Sequence, residues 1–206
     1  MDKKVIIFVR PQYIIMGLDI FVITDNYEEI RNSDYYSMSK DYRDQHKLSR
    51  TFCNLMCRQN VVDGEPELEQ IGRITGVNIS ALYDMEKYWS DETIDFALES
   101  AQTDVERQEI LNEAETNRSS LKNNIDLILR TIGALVEKLS MIDNLDKKLD
   151  DSGFDSLDYS FYFTEFNVDK GKGYIGNNFG QDLRNFKRFL EFAKSRGATT
   201  VWFTYG

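Results

Sequence analysis

Cysteine, proline and histidine are scarce in these 206 residues, and each scarcity closes off a class of protein. The only two cysteines, Cys53 and Cys57, lie one turn apart if they share a helix, where a bridge between them is unfavourable. No disulfide framework is expected, and reduced thiols in a cytoplasmic protein are the simplest reading. Structural zinc wants four ligands and only His46 could join the two thiols, so no metal site is expected. His46 is also the one imidazole open to a Ser–His or Cys–His nucleophile, and its polar surroundings predict a surface position. Two prolines and no low-complexity tract argue against long disordered linkers.

Long apolar runs are missing too. Met1-Asp2-Lys3-Lys4 followed by Val5–Val9 resembles the start of a leader, but Arg10-Pro11-Gln12 interrupts the run and no small-residue cleavage pattern follows. Asp19 interrupts the second run, Ile14–Ile23. Neither approaches the roughly 20 apolar residues that span a bilayer, so both are expected to be buried strands and no membrane role is expected.

Positive charge is the last shortage. The net charge is −10 and the sequence pI near 4.7, which counts against direct nucleic-acid binding, because phosphate backbones demand Lys and Arg. The deficit is local. Residues 1–60 carry a net +1 and residues 121–206 a net zero, whereas residues 61–120 carry four bases against 15 acids. Such a block repels anions and attracts cationic surfaces.

What is present is enough for a core: 41% hydrophobic residues, 13% aromatic. Leu18–Thr24 reads as a strand, with Tyr13–Met16 adding to it or standing alone. Leu48, Phe52, Leu55 and Met56 predict a helix over 46–60; Pro66 opens another that runs to about Gly76, and Ile79–Trp89 a third. Ser90 is a good N-cap for the next. From Leu111 a seven-residue repeat runs through Ala114, Arg118, Leu121, Ile125, Ile128, Ile132, Leu135, Leu139, Ile142, Asp146 and Leu149. That pattern predicts a long helix packed lengthwise on a partner helix. An upstream stripe, Ile94, Leu98, Ala101 and Val105, is out of phase with it, which leaves either one rod with a stutter near 106–110 or a hairpin broken there. Tyr159–Val168 alternates like a strand, Phe179–Ala193 is an amphipathic helix with Gly197 as its C-cap, and Thr199–Tyr205 is a final strand. Strand, helix, strand predicts a βαβ unit.

The expected fold class is α+β: a small mixed β-sheet built from N- and C-terminal strands, including the βαβ unit, with a large helical insertion holding a heptad-patterned helix or hairpin. In domain terms, residues 1–45 plus 153–206 would form the sheet unit and 46–152 the helical insertion.

No catalytic constellation stands out. Asp158 and Glu165 on one strand would face opposite sides, and no lysine follows Glu165 at nuclease spacing. Ile71-Gly72-Arg73-Ile74-Thr75-Gly76-Val77, then Leu82 and Met85, has helix-turn-helix spacing, but residues 78–88 include Asp84 and Glu86 against one base, Lys87. A structural helix pair is expected. Gly171-Lys172-Gly173-Tyr174-Ile175-Gly176 matches the GxGxxG string between a strand and a helix. The helix starts near Gly180, too late to meet a pyrophosphate, so the weaker expectation is anion contact by Lys170 and Lys172 beside Gly171, Gly173 and Gly176.

The acidic block is the stronger signal. Asp91, Asp95, Glu99, Glu106, Glu109 and Glu113 would form one negative stripe on a helix, with only Arg107 nearby to offset it. Tyr35 and Tyr36, on a polar loop, are interface candidates. The leading expectation is therefore a non-enzymatic cytoplasmic interaction protein, without cofactor, that binds and can inhibit a basic protein partner, either a nucleic-acid-handling protein or a toxin. The alternative is a phosphate- or nucleotide-binding α/β domain or enzyme that uses loop 169–180. Self-association of the heptad helix as a homodimer is a third reading.

Overall fold

β-branched and aromatic residues make β1 (Ile20–Thr24), which pairs antiparallel with β2 (Val201–Tyr205) in the register Ile20↔Tyr205 to Thr24↔Val201. A computed structural model describes residues 20–33, 40, 44, 46–59, 64–152, 159–171, 174 and 176–205; the expected strand at Val5–Val9 lies outside them. Over the described residues the fold is mixed: helices around a small two-stranded antiparallel sheet made from strands near both ends of the chain. Two strands are marginal alone, and this ribbon is held by burying Val201 and Phe203 on one face. On the other face Trp202 stacks on Tyr88, with ring centroids 4.0 Å apart.

The βαβ unit is corrected. Tyr159–Tyr162 is a short helix (α8 below) and no strand forms over the described residues up to Val168. The alternation of Tyr159, Phe161 and Phe163 misled because Tyr162, Phe163 and Phe166 instead pack round Phe179, with their ring centroids 5.5–6.0 Å from its own.

The helices follow local signals. After α1 (Tyr27–Asn32), α2 (Arg50–Met56) is shorter than expected and starts at Ser49, whose hydroxyl accepts from the Phe52 amide. α3 (Glu67–Thr75) ends at Gly76, left-handed at φ 70°, and α4 (Ser80–Asp84) runs into a 3₁₀ turn at Met85–Lys87. A Cβ on Gly72 would come within 3.0 Å of the Ile79 side chain, so the two helices cross closely there.

The heptad region is not one rod, nor does it break near 106–110. It is three helices: α5 (Asp91–Ser100), α6 (Asp104–Leu121) and α7 (Ile125–Leu139). The first break follows from Thr103, which forms a capping box with Glu106 and so begins a new helix. The second lies at Lys122–Asn124. Asn123 is left-handed at φ 60°, and the Asn124 amide both donates to the Val201 carbonyl and accepts from the Val201 amide, each at 2.8 Å. The start of β2 thereby finds partners in the gap between two helices.

α7 packs on α9 (Phe179–Ser195), with α8 (Tyr159–Tyr162) and α2–α4 around them. Ile128, Ile132, Leu135 and Leu139 of α7 and Leu183, Phe186 and Leu190 of α9 are wholly buried. Each such side chain contributes about 1.5–3 kcal/mol relative to exposure. The heptad stripe of α7 thus lies in the core of a single chain.

Candidate functional site

α5 and α6 form an acidic hairpin. Residues 91–121 carry nine carboxylates and two bases, and α5 buries none of its residues. In α6 only Ile110, Ala114 and Leu121 are buried; Leu111, expected to open the core stripe, is exposed, and so is Val105. The base of the hairpin is fixed by Arg118. Its Nε donates to the Trp89 carbonyl (2.7 Å), its Nη2 meets Asp91 (2.6 Å), and its guanidinium lies over the Tyr88 ring. Arg118 broke the apolar heptad in the sequence because it is a clamp, not a core residue.

The six stripe residues therefore divide. Asp91 is paired with Arg118. Glu106 accepts from the Gln102 and Thr103 amides, which hold its carboxyl below the usual range. Asp95, Glu99, Glu109 and Glu113 are exposed and make no ion pair among the described residues. The break at 101–103 splits the stripe between two helices rather than leaving it continuous. Tyr35 and Tyr36 lie outside the described residues.

The glycine-rich loop is tied onto the first half of α9. The Asn178 side chain caps that helix by accepting from the Gln181 amide. Gln181 in turn accepts from the Lys170 amide (3.0 Å) and donates to the Gly171 carbonyl (3.2 Å). Lys170 pairs with Glu165, and Asp169 accepts from the Gly171 amide at 2.8 Å. Gly171 is left-handed at φ 90°, and Gly176 sits against the Tyr174 ring. Lys172 and Gly173 lie outside the described residues. Gly180 lets this loop approach, since a Cβ there would stand 2.4 Å from the Phe166 carbonyl oxygen.

Three buried polar groups escaped the sequence reading. Asp182, in the first turn of α9, accepts from the Ser49 amide (2.8 Å), the Ser49 hydroxyl (2.6 Å) and the Tyr162 hydroxyl (3.1 Å). Burial outweighs these bonds and pushes its carboxyl up to about 7. Arg58 and Glu67 form a buried ion pair at 2.6 Å that Ser152 bridges. His46, expected at the surface, is buried instead: it stacks on Phe192, and burial with the Arg188 charge lowers its pKa to about 4. Spacing could not reveal these, because Asp182 meets Ser49, Ser152 meets Arg58 and Phe192 meets His46 only through the fold, across long stretches of chain.

Among the described residues no group of three or more His, Cys, Asp or Glu is placed to hold a metal ion, and no helix is long and apolar enough to cross a membrane. No family model, curated protein or solved structure matches the chain.

Proposed function

We propose that this chain is a non-enzymatic, cytoplasmic interaction protein whose α5–α6 hairpin binds, and can inhibit, a basic protein partner. The observation that carries the reading is the hairpin itself. It extends four exposed carboxylates (Asp95, Glu99, Glu109 and Glu113), without ion pairs among the described residues, beside exposed Phe96, Val105 and Leu111. Apolar anchors ringed by one sign of charge suit a partner surface that is cationic around an apolar pocket, with charge setting the encounter rate and the anchors the lifetime. A protein that handles nucleic acid, or a basic toxin, presents such a surface.

The test uses the quadruple variant D95K/E99K/E109K/E113K, which spares the cap residue Glu106 and the clamped Asp91. Affinity capture from the native cell with the wild type should retain a basic protein that about 0.5 M salt releases. The variant should lose it with an unchanged circular-dichroism spectrum. Equal capture by both proteins would remove the reading.

The alternative, an anion or nucleotide site at loop 169–180, has in its favour the left-handed turn at Gly171 ahead of a helix N-terminus. Against it stand the Asn178 cap, the Lys170–Glu165 pair and the buried Asp182 carboxyl at that helix end. A thermal shift with inorganic phosphate or nucleotides that is lost in K172A would restore it.

A further inference from the structure

A second surface carries the opposite charge. α7 turns Ile128, Ile132, Leu135 and Leu139 inward, which leaves Leu127, Arg130, Ala134 and Lys138 along its outer side. Together with Val77 and Ala81 of the α3–α4 turn they line an open cleft of about 430 Å³. The side chain at position 76 is only hydrogen, and nothing lies within 4 Å of where its Cβ would be, so the cleft stays open at the turn. Leu127 is 46% exposed. Among the described residues, Arg130 and Lys138 make no ion pair and no acid lines the cleft. In a chain of net charge −10 this is a local reversal.

The two cations stand eight residues apart on one helix, about 12 Å. An occupant lying lengthwise would need an apolar side chain over Ala134 and an acid near each end. On α5, Glu92, Phe96 and Glu99 fall at i, i+4 and i+7, one face of a helix, with the acids about 10.5 Å apart. Glu92 and Glu99 are exposed without an ion pair among the described residues, and Phe96 is 45% exposed. This is the spacing by which a helix is read in a groove.

We propose that α5 of a second copy of this chain docks in the cleft between α7 and the α3–α4 turn, with Phe96 over the apolar floor and Glu92 and Glu99 against Arg130 and Lys138. The contact joins two different patches, so two copies that reciprocate it close as a dimer and copies that do not would chain. One helix in a cleft is at the small end of interfaces, so the association is weak and salt-sensitive. It engages the same hairpin as the proposed basic partner but does not depend on that partner. Self-association would hold the acidic face in store until a stronger cationic surface competes for it.

Sedimentation velocity on the purified chain tests this, over a concentration series at low and high salt. The wild type should associate with rising concentration and dissociate in salt. R130E/K138E and E92K/E99K should each be monomeric, weakened about tenfold or more, with unchanged circular dichroism. Mixed together they should associate again, because each acid patch then meets a basic one. A wild type that stays monomeric throughout, association that survives both variants, or a mixture that does not recover would each overturn the proposal. R130E/K138E leaves the hairpin acids Asp95, Glu99, Glu109 and Glu113 intact, so its capture of a basic partner reports on the earlier reading separately.

Discussion

The polar groups around α9 and those on the α5–α6 hairpin are similar in kind and opposite in consequence. Around α9 and α3, Asp182, Glu67, Arg58, Gln181 and Asn185 are buried and every one is held by a partner outside its own turn, Ser49 for Asp182, Ser152 for Arg58 and Glu67, Lys170 for Gln181 and Lys47 for Asn185. On the hairpin, Asp95, Glu99, Glu109 and Glu113 stand in water without ion pairs among the described residues. A carboxylate in the first region is structural, because leaving its partner unpaired in a low dielectric is costly. A carboxylate in the second is nearly free to change, because water screens it. The chain thus uses its buried polar groups to hold the fold and leaves its exposed charges available for recognition.

The sharpest way to break this comparison is to remove one member of the buried pair. E67A takes its carboxylate away from Arg58, which is 2% exposed, and should cost about 3–5 kcal/mol in urea denaturation. E99K/E109K on the hairpin should change stability by no more than about 0.5 kcal/mol. Similar losses in both would erase the distinction.

A second contrast lies in pH. Asp182 has its carboxyl raised from 3.8 to about 7, so between those values the folded chain keeps a proton the unfolded chain has released. Stability should therefore fall as pH rises through that window, by an amount on the order of 4 kcal/mol. His46 acts in the opposite sense. Its pKa falls from 6.5 to about 4, so the unfolded chain binds the extra proton and stability rises with pH between 4 and 6.5. The two slopes offset each other where they overlap. D182N should leave the rising slope alone and H46F the falling one, read from denaturation midpoints at a series of pH values. No change of slope in either variant would show that the buried groups do not titrate with folding.

The smallest effect belongs to the hairpin cap. T103A removes the hydroxyl that accepts from the Glu106 amide at 3.2 Å and should cost about 1 kcal/mol locally. Amide exchange should quicken in α5 and α6 while the global denaturation midpoint stays put, because so little of the hairpin is buried. A matching global loss would mean the hairpin is part of the cooperative core.

Sequence reading succeeded where causes are local. Ser90 caps α5, Gly76 ends α3 in the left-handed region, and the helix pair around Gly72 formed as its spacing predicted. It failed where a distant residue decides. Nothing in Asn123-Asn124 announces that its amide will bridge to Val201, 77 residues on, so the heptad pattern read straight through a real break. His46 read as exposed because its neighbours in the chain are polar, whereas its neighbours in space are Phe189 and Phe192. Tyr159–Val168 alternated like a strand, but the aromatic ring of Phe179 offered its side chains a better burial as a short helix and loop.

By itself the sequence determined the charge imbalance, the helix caps, the thiol and imidazole supply and the identity of most core residues, because composition and i, i+3, i+4 chemistry need only neighbours. Tertiary structure alone decided which acids are clamped and which face water, where the heptad helix breaks, and that a basic cleft exists at all. Those outcomes depend on the dielectric around each group and on partners tens of residues away, which only the folded chain brings together.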